Sequence, residues 1–426
     1  MSWRAVVAGC GAGWVATARS LVLLALLAFA PAARAQTTDA AFTAFLAEIR
    51  AEAIAAGVSA ATFDKAMAGI TPDRSLPDLV LKPGPRPLDA RGQAEFTKTP
   101  LEYLDLPYLS RLAAEGRALR EKHAETLRAI ERELAVEPAI LLAVWGRETA
   151  FGRFELKHNV VRVLLTQAYL GRRKDVFRKE LIAALKLIEQ GVLDPARHRS
   201  SWAGAVGLTQ FMPSEFEQLA YDMDRDGRKD IWTSVPDALA SAANQLKAKG
   251  WVHGVPWGIE VRAPTREACL QEGPWNAKPL ADWARDGFAP AAGQAFPPRL
   301  SAEKAFLLTP GGAHGPVFLV FENFLVLKRY NFADLYAVFV GHLGDRITGG
   351  PAFVTPWTTP AMISNQDIGE IQERLGARGY PVEKVDGKAG MNTRSLIGKF
   401  QKDAGMPVDC WPGTAPLTRL RARSGG

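Results

Sequence analysis

Glu148 lies in the run Trp145-Gly146-Arg147-Glu148-Thr149-Ala150-Phe151-Gly152. Pro138 suits the first turn of a helix, and from there Leu141, Val144, Trp145 and Glu148 share one face by three- and four-residue spacing. The carboxylate is therefore expected on an apolar face beside Trp145. Burial disfavours its charged form and raises its pKa, as a general acid working near neutral pH requires. Gly152 ends the helix and opens space beside the acid. The competing reading of the same residue is a carboxylate neutralised by Arg147 or Arg153, because buried ion pairs also perturb pKa values.

Further along, the chain reads Ser201-Trp202-Ala203-Gly204-Ala205-Val206-Gly207-Leu208-Thr209-Gln210-Phe211-Met212-Pro213-Ser214. Ser201, Ala203, Gly204, Ala205 and Gly207 lack bulk, so a sugar could lie against the backbone. Ser201 and Gln210 can hydrogen-bond hydroxyl or acetamido groups. Ser214 with Glu217 has capping-box spacing, which predicts a rigid turn at Phe211-Met212-Pro213. Tight helix packing is the alternative use of such small residues. An acid facing a loop of this kind is the arrangement needed to protonate a glycosidic oxygen.

A third constellation runs from Asp222 to Asp230. Asp222, Asp224, Asp226 and Asp230 stand at positions 1, 3, 5 and 9 of a calcium-type loop, with Gly227 at position 6 and Arg228 at position 7, where only a backbone carbonyl is needed. Thr233 replaces the usual Glu at position 12. A solvated acidic turn competes with a structural calcium site, since Arg225, Arg228 and Lys229 dilute the charge.

These groups need elements to hold them. Phe42, Phe45, Leu46 and Ile49 predict a helix that Gly57 breaks. Pro72, Pro77, Pro83, Pro85 and Pro87 predict an extended connector. Helical periodicity resumes over Tyr108–Leu134. Residues 255–320 lose it and predict short strands. Phe318–Phe321 and Phe324–Leu327 flank Glu322-Asn323 as an expected hairpin. Tyr336–Ile347 reads as helix. The Gly349-Gly350-Pro351 and Thr/Pro stretch reads as a linker. Beyond it a compact three-helix unit follows.

The motifs Glu-Thr-x-Phe-Gly, Ser-Trp-Ala-Gly-Ala-x-Gly…Gln-Phe-Met-Pro-Ser, Asp-x-Asp-x-Asp-Gly-x-x-Asp-Ile-Trp and Lys-Arg-Tyr-Asn…Tyr-Ala closely resemble the lytic murein transglycosylase B family over residues 40–348. The resemblance implies a mainly α, lysozyme-like catalytic domain with a small β-containing part. It also implies cleavage of peptidoglycan glycan strands with Glu148 as the single catalytic carboxylate. By the same resemblance Ser201, Gln210, Phe211, Met212, Tyr330 and Tyr336 would line the sugar subsites, and Asp237 would complete the metal set of Asp222, Asp224, Asp226 and Arg228. No cofactor is implied for the chemistry, only a structural Ca²⁺. Gln245 stands where the family commonly has an aromatic. Ile371-Gln372…Gly379-Tyr380, Asp386-Gly387 and Phe400-Gln401 resemble the small three-helix peptidoglycan-binding domain, with Asp409-Cys410 where Asp-Gly is usual. The bland alternatives for these runs are core aromatics and a generic helical appendage.

The implied organisation is a signal peptide over 1–35, a catalytic domain over 36–348, a linker over 349–361 and a peptidoglycan-binding domain over 362–426. Arg19 before an apolar run too short to span a bilayer, then Ala33-Arg34-Ala35, is the secretory pattern and points to the periplasm. The chain of 426 residues is 47% hydrophobic with mean hydropathy near zero, as a soluble protein is. Its net charge is +7, and removing Arg4, Arg19 and Arg34 leaves 7 − 3 = +4. That suits weak association with an anionic wall or membrane surface and excludes nucleic acid as a partner. A monomer is expected. Cys269 and Cys410, in separate domains, offer no disulfide framework. Zinc-ligand spacing, a nucleophile elbow and a phosphate loop are lacking. Two rival functions remain: a lysozyme-type hydrolase using Glu155 as second carboxylate, and a non-catalytic wall-binding scaffold. The linker makes the last unit a tether, needed for the insoluble wall and dispensable for short soluble glycans.

Overall fold

The computed structural model describes residues 40–81 and 94–422. The expected signal peptide and the connector prolines Pro83, Pro85 and Pro87 lie outside the described residues. Among the described residues no helix is long and apolar enough to cross a membrane.

Two helical cores face each other. Helices Ala40–Ala55 and Ala60–Met67 are separated by Gly57 at φ +92°, a conformation that glycine adopts without strain. They pack on Val160–Leu170 and Lys174–Glu189 around Phe42, Ile49, Phe63, Leu164 and Leu185. The second core gathers Leu106–Lys122, Ala124–Leu134, Pro138–Thr149, Val235–Ala248 and Asp334–Ile347. The expected Tyr108–Leu134 helix is two helices that part at His123. Leu208 packs against both cores and marks where they meet.

A five-stranded antiparallel sheet carries the β content, in the order Lys278–Pro279, Lys304–Leu308, Val317–Val320, Gly258–Arg262, Ala289–Pro290. Ile259 and Leu307 both lie opposite Leu319. Leu307 and Leu319 face a small core around Trp283, while Phe306, Leu308, Phe318 and Val320 join the large helical core. Both faces are covered, which is why these strands read as continuous apolar runs instead of alternating ones.

The hairpin expected across Glu322-Asn323 is corrected: Val317–Val320 is a strand, but Glu322–Tyr330 is a helix. Asn323 is fully buried, and its side chain serves the backbone of Val252 and Val255 instead of a turn. This helix delivers Tyr330.

The C-terminal unit comprises helices Asn365–Gly376, Met391–Asp403 and Thr414–Arg421 around Ile371, Leu375, Leu396, Ile397, Phe400, Leu417 and Leu420. Gln372 accepts from the amides of Asp386 and Gly387 and donates to Thr393, which fixes the Asp-Gly loop.

Two expectations about this unit are overturned. Cys269 and Cys410 form a disulfide across 141 residues of sequence; the assignment to separate domains hid a pair that the fold brings together. The tether is corrected too, because the segment after Gly350 is packed. The amides of Val354 and Thr355 donate to Glu260, Thr358 donates to the His314 carbonyl, Phe353 stacks on His342 at 3.7 Å, and Trp357 is buried. A linker with its backbone amides satisfied by the neighbouring domain cannot act as a flexible leash.

Candidate active site

Glu148 is the next-to-last residue of helix Pro138–Thr149, and Pro138 occupies the first turn as expected. Ala150, Phe151 and Gly152 follow at φ +49°, +59° and +83°. Three left-handed residues in succession turn the chain away and leave Glu148 half-buried at the exposed end of an otherwise buried helix.

Tyr336, 1% exposed, donates its hydroxyl to Glu148 Oε1 at 2.5 Å. Burial raises the Glu148 carboxyl to about 7, with the Tyr336 hydrogen bond and Arg147 opposing and Glu95 adding to the rise. The negative end of the helix dipole acts in the same direction as burial. Tyr336 itself is pushed well above the usual phenol range by burial and by Glu148, so it stays a donor.

The ion-pair alternative fails. Arg147 turns aside, donates to the Tyr103 hydroxyl at 2.6 Å, stands 3.9 Å from Glu95 and stacks over Tyr103 and Phe339. Arg153 pairs with Glu115. Among the described residues no cation stands within ion-pair distance of Glu148. Glu155 cannot be a same-face partner, because the helix has ended six residues before it and its side chain is exposed.

The small-residue loop is clamped to the acid helix. Thr149 Oγ1 donates to the Leu208 carbonyl at 2.7 Å and accepts from Gly152 N at 3.1 Å. Tyr330 stacks on Tyr336 with centroids 6.3 Å apart and planes 9° from parallel, and its hydroxyl donates to the Thr209 carbonyl. Ser201 Oγ accepts from Ala205 N, which closes the loop on itself. Gln210 holds φ +58°, uncommon for a non-glycine residue, and its amide donates to Gly207. Gly204 and Gly207 serve packing: a Cβ on Gly204 would stand 2.3 Å from Leu164, and one on Gly207 would stand 2.8 Å from Ile231.

Glu148 with Thr149, Tyr330 and Tyr336 come from the ends of three helices, and the loop that carries Ser201 and Gln210 is clamped to them through the carbonyls of Leu208 and Thr209. Ser201, Gln210, Met212 and Tyr330 are half-buried and present some surface. Phe211 is corrected: it is 0% exposed inside the first helical core and shapes the loop from beneath, where no sugar reaches. The Ser214–Glu217 capping box is also corrected. Glu180, from helix Lys174–Glu189, takes Ser214 N and Oγ at 3.0 and 2.7 Å, while Glu217 pairs with Lys186. A carboxylate distant in sequence outcompetes the local cap. Gln245 is buried and donates to Glu215 at 2.7 Å, so it offers no stacking surface. The sequence reading offered Arg147 only as a counter-ion of Glu148, and the clamp that Thr149 makes to Leu208 had no local signal.

Asp222, Asp224 and Asp237 gather their carboxylates within 4.8 Å of one another. Asp237 also binds the amides of Met223 and Asp230. Asp226 falls outside the cluster and accepts from Arg228 N, and Asp230 caps Trp232 and Thr233. Of the expected set, Asp222, Asp224 and Asp237 bring their carboxylates together. Asp222 Oδ1 is buried without a protein partner.

Comparison with known proteins gives a transglycosylase SLT domain match over residues 41–345 and a peptidoglycan binding domain match over residues 364–420. The chain is 32% identical to the membrane-bound lytic murein transglycosylase B of Escherichia coli over 214 residues, half of this chain and 57% of that protein's length. It is 39% identical to the crystal structure of SltB3 from Pseudomonas aeruginosa in complex with NAG-anhNAM-pentapeptide, covering 90% of this chain and 100% of that one with a TM-score of 0.80. The Escherichia coli lytic transglycosylase Slt35 in complex with calcium is 27% identical, covering 60% of this chain and 80% of that one, with a TM-score of 0.51.

Proposed function

The chain belongs to the transglycosylase SLT domain family, and from that premise we propose that it cleaves the bond between N-acetylmuramic acid and N-acetylglucosamine in peptidoglycan without water. Glu148 gives its proton to the glycosidic oxygen as the bond from muramic C1 breaks. The resulting carboxylate then takes the proton of the muramic C6 hydroxyl, whose oxygen bonds to C1. The products are a free N-acetylglucosamine hydroxyl and a 1,6-anhydro ring, and Glu148 ends protonated as it began.

The observation that carries this reading is a carboxyl, raised to about 7, that accepts from a neutral phenol and, among the described residues, has no cation within ion-pair distance. Hydrolysis by two carboxylates uses a second one across the bond; Glu155 is exposed beyond the end of the helix, and Glu95 is taken up by Tyr103 and Arg147. Ser201, Gln210, Met212 and Tyr330 would line the sugar subsites, and Tyr336 would hold the acid in place during both proton transfers.

Activity on peptidoglycan should then fall as pH rises through about 7, because the form that starts the reaction is the protonated acid. A rate profile measured from acidic to alkaline buffer checks this. A rate that climbs steadily above pH 7 would contradict it.

The small C-terminal unit would bind the same polymer. Export to the periplasm is supported by the leader pattern of the first 35 residues and by the Cys269–Cys410 disulfide, which suits an oxidising compartment.

Asp222, Asp224 and Asp237 fit a hard cation, since the donors are oxygens and Asp222 Oδ1 is buried and unpartnered. Calcium is the reading these donors favour, and it is the ion in the Slt35 complex. Its role would be to fix the loop ahead of helix Val235–Ala248. Calcium at one hundred times its Kd should add about 2.7 kcal/mol of stability. Thermal melts with millimolar calcium and with chelator measure this, and identical melting temperatures would remove the site.

A further inference from the structure

The small C-terminal unit is joined to the active site by a buried chain of charges. Arg394, 4% exposed on helix Met391–Asp403, spans two buried carboxylates. Its Nη2 donates to Asp334 Oδ2 at 2.9 Å and to Glu272 Oε1 at 2.5 Å, its Nε donates to Glu272 Oε2 at 3.0 Å, and its Nη1 donates to the Ala389 carbonyl at 2.6 Å. Asp334 opens helix Asp334–Ile347, and two residues later that helix carries Tyr336, the donor to Glu148. The other oxygen of Asp334 accepts from Lys328 at 2.6 Å, two residues before Tyr330 on the neighbouring helix. One carboxylate therefore ties together the roots of both stacked tyrosines, and its second anchor comes from the C-terminal unit.

The surrounding contacts keep that anchor in register. The Cys269–Cys410 disulfide staples the unit beside Glu272. His314 meets Asp409 at 3.0 Å, and Ala313 N donates to the Asp409 carbonyl at 2.8 Å. Lys388 Nζ lies 4.2 Å from the rings of both Phe96 and Phe332.

We propose that Arg394 is a positioning residue for the reaction: through Asp334 it holds the start of helix Asp334–Ile347, and so Tyr336, against Glu148. The inference rests on the transglycosylase reading above. It assigns the C-terminal unit a part in the chemistry that its family match does not describe. The groups facing Glu148 are Arg147 on its own helix, Glu95, Tyr103, Tyr330 and Tyr336. Of these only Tyr330 and Tyr336 hang on the two helices that Arg394 reaches through Asp334. Loosening Tyr336 removes a hydrogen bond that favours the carboxylate, so the acid should hold its proton to higher pH.

The test compares full-length wild type with Arg394→Met and Arg394→Lys on a soluble glycan fragment and on a pH series. Arg394→Met should lower kcat by about tenfold or more with little change in KM, since a displacement near 1 Å can cost up to ~10²-fold. Its alkaline limb should move upward. Arg394→Lys, which restores charge but not the planar fork, should recover part of both. A purely structural arginine would leave the limb of the folded fraction where it was. Arg394→Met alone leaves Glu272 unpaired, while Asp334 keeps Lys328, so a double variant that adds Glu272→Gln keeps shape without stranded charge, and it should show the same fall and shift. Wild-type kcat and an unmoved alkaline limb in the folded double variant would overturn the inference, and so would failure of both variants to fold, which would make the role structural. Wild type that leaves the fragment intact would instead sink the transglycosylase reading itself.

Discussion

Glu148→Gln should abolish release of soluble fragments from peptidoglycan, with a loss of at least about 10²–10⁴-fold, the usual contribution of a positioned acid–base group. The amide keeps the shape and can still accept the Tyr336 hydrogen bond, but it cannot give a proton and take one back. The fold should survive, and the direction of the stability change follows from linkage. The folded carboxyl titrates near 7, above its value in an unfolded chain. Its contribution is thus present at low pH and lost as pH rises through about 7. Above that pH the variant should melt no lower than wild type. Retained activity in a folded variant would remove Glu148 from the mechanism.

Replacing Cys269 and Cys410 with serine should lower stability by about 2–5 kcal/mol, the range for loss of a native disulfide. The pair closes a loop of 141 residues, and long loops gain the most in the chain-entropy account. Both cysteines are buried, at 2% and 0% exposed, so two hydroxyls would also be left in apolar surroundings. Thermal melts of the double variant, and of wild type heated with reductant, should both fall well below untreated wild type, the variant lowest because of its buried hydroxyls. Unchanged melting would mean that the ion cluster around Arg394 and the packing of Trp357 hold the unit unaided.

The helix that carries Glu148 could be read from sequence because its signals were local. Pro138 starts the helix and apolar spacing carries it, while its end comes earlier than Gly152, at Thr149 with Ala150 as the left-handed cap. The two tyrosines could not be read that way. Tyr330 and Tyr336 lie 182 and 188 residues beyond Glu148, and only the family resemblance brought them in. Phe324–Leu327 failed as a strand because a short buried helix and a buried strand share the same apolar run, and Asn323 turned out to serve distant carbonyls. Ser214 failed as a local cap because Glu180 reached it first. The disulfide and the Arg394 cluster were invisible for one reason: treating the C-terminal unit as tethered removed the proximity that makes them. Pairings across an interface leave no periodicity in the chain.

The most direct measurement of the central claim is the mass of the muramic ends released when wild type digests peptidoglycan in heavy-oxygen water. Ring closure by the C6 hydroxyl consumes no solvent, so the new ends should be anhydro sugars, lighter by one water than reducing ends and free of the label. Labelled reducing ends formed by the enzyme would mean that water attacks C1, and a single acid–base carboxyl at Glu148 would no longer describe the reaction.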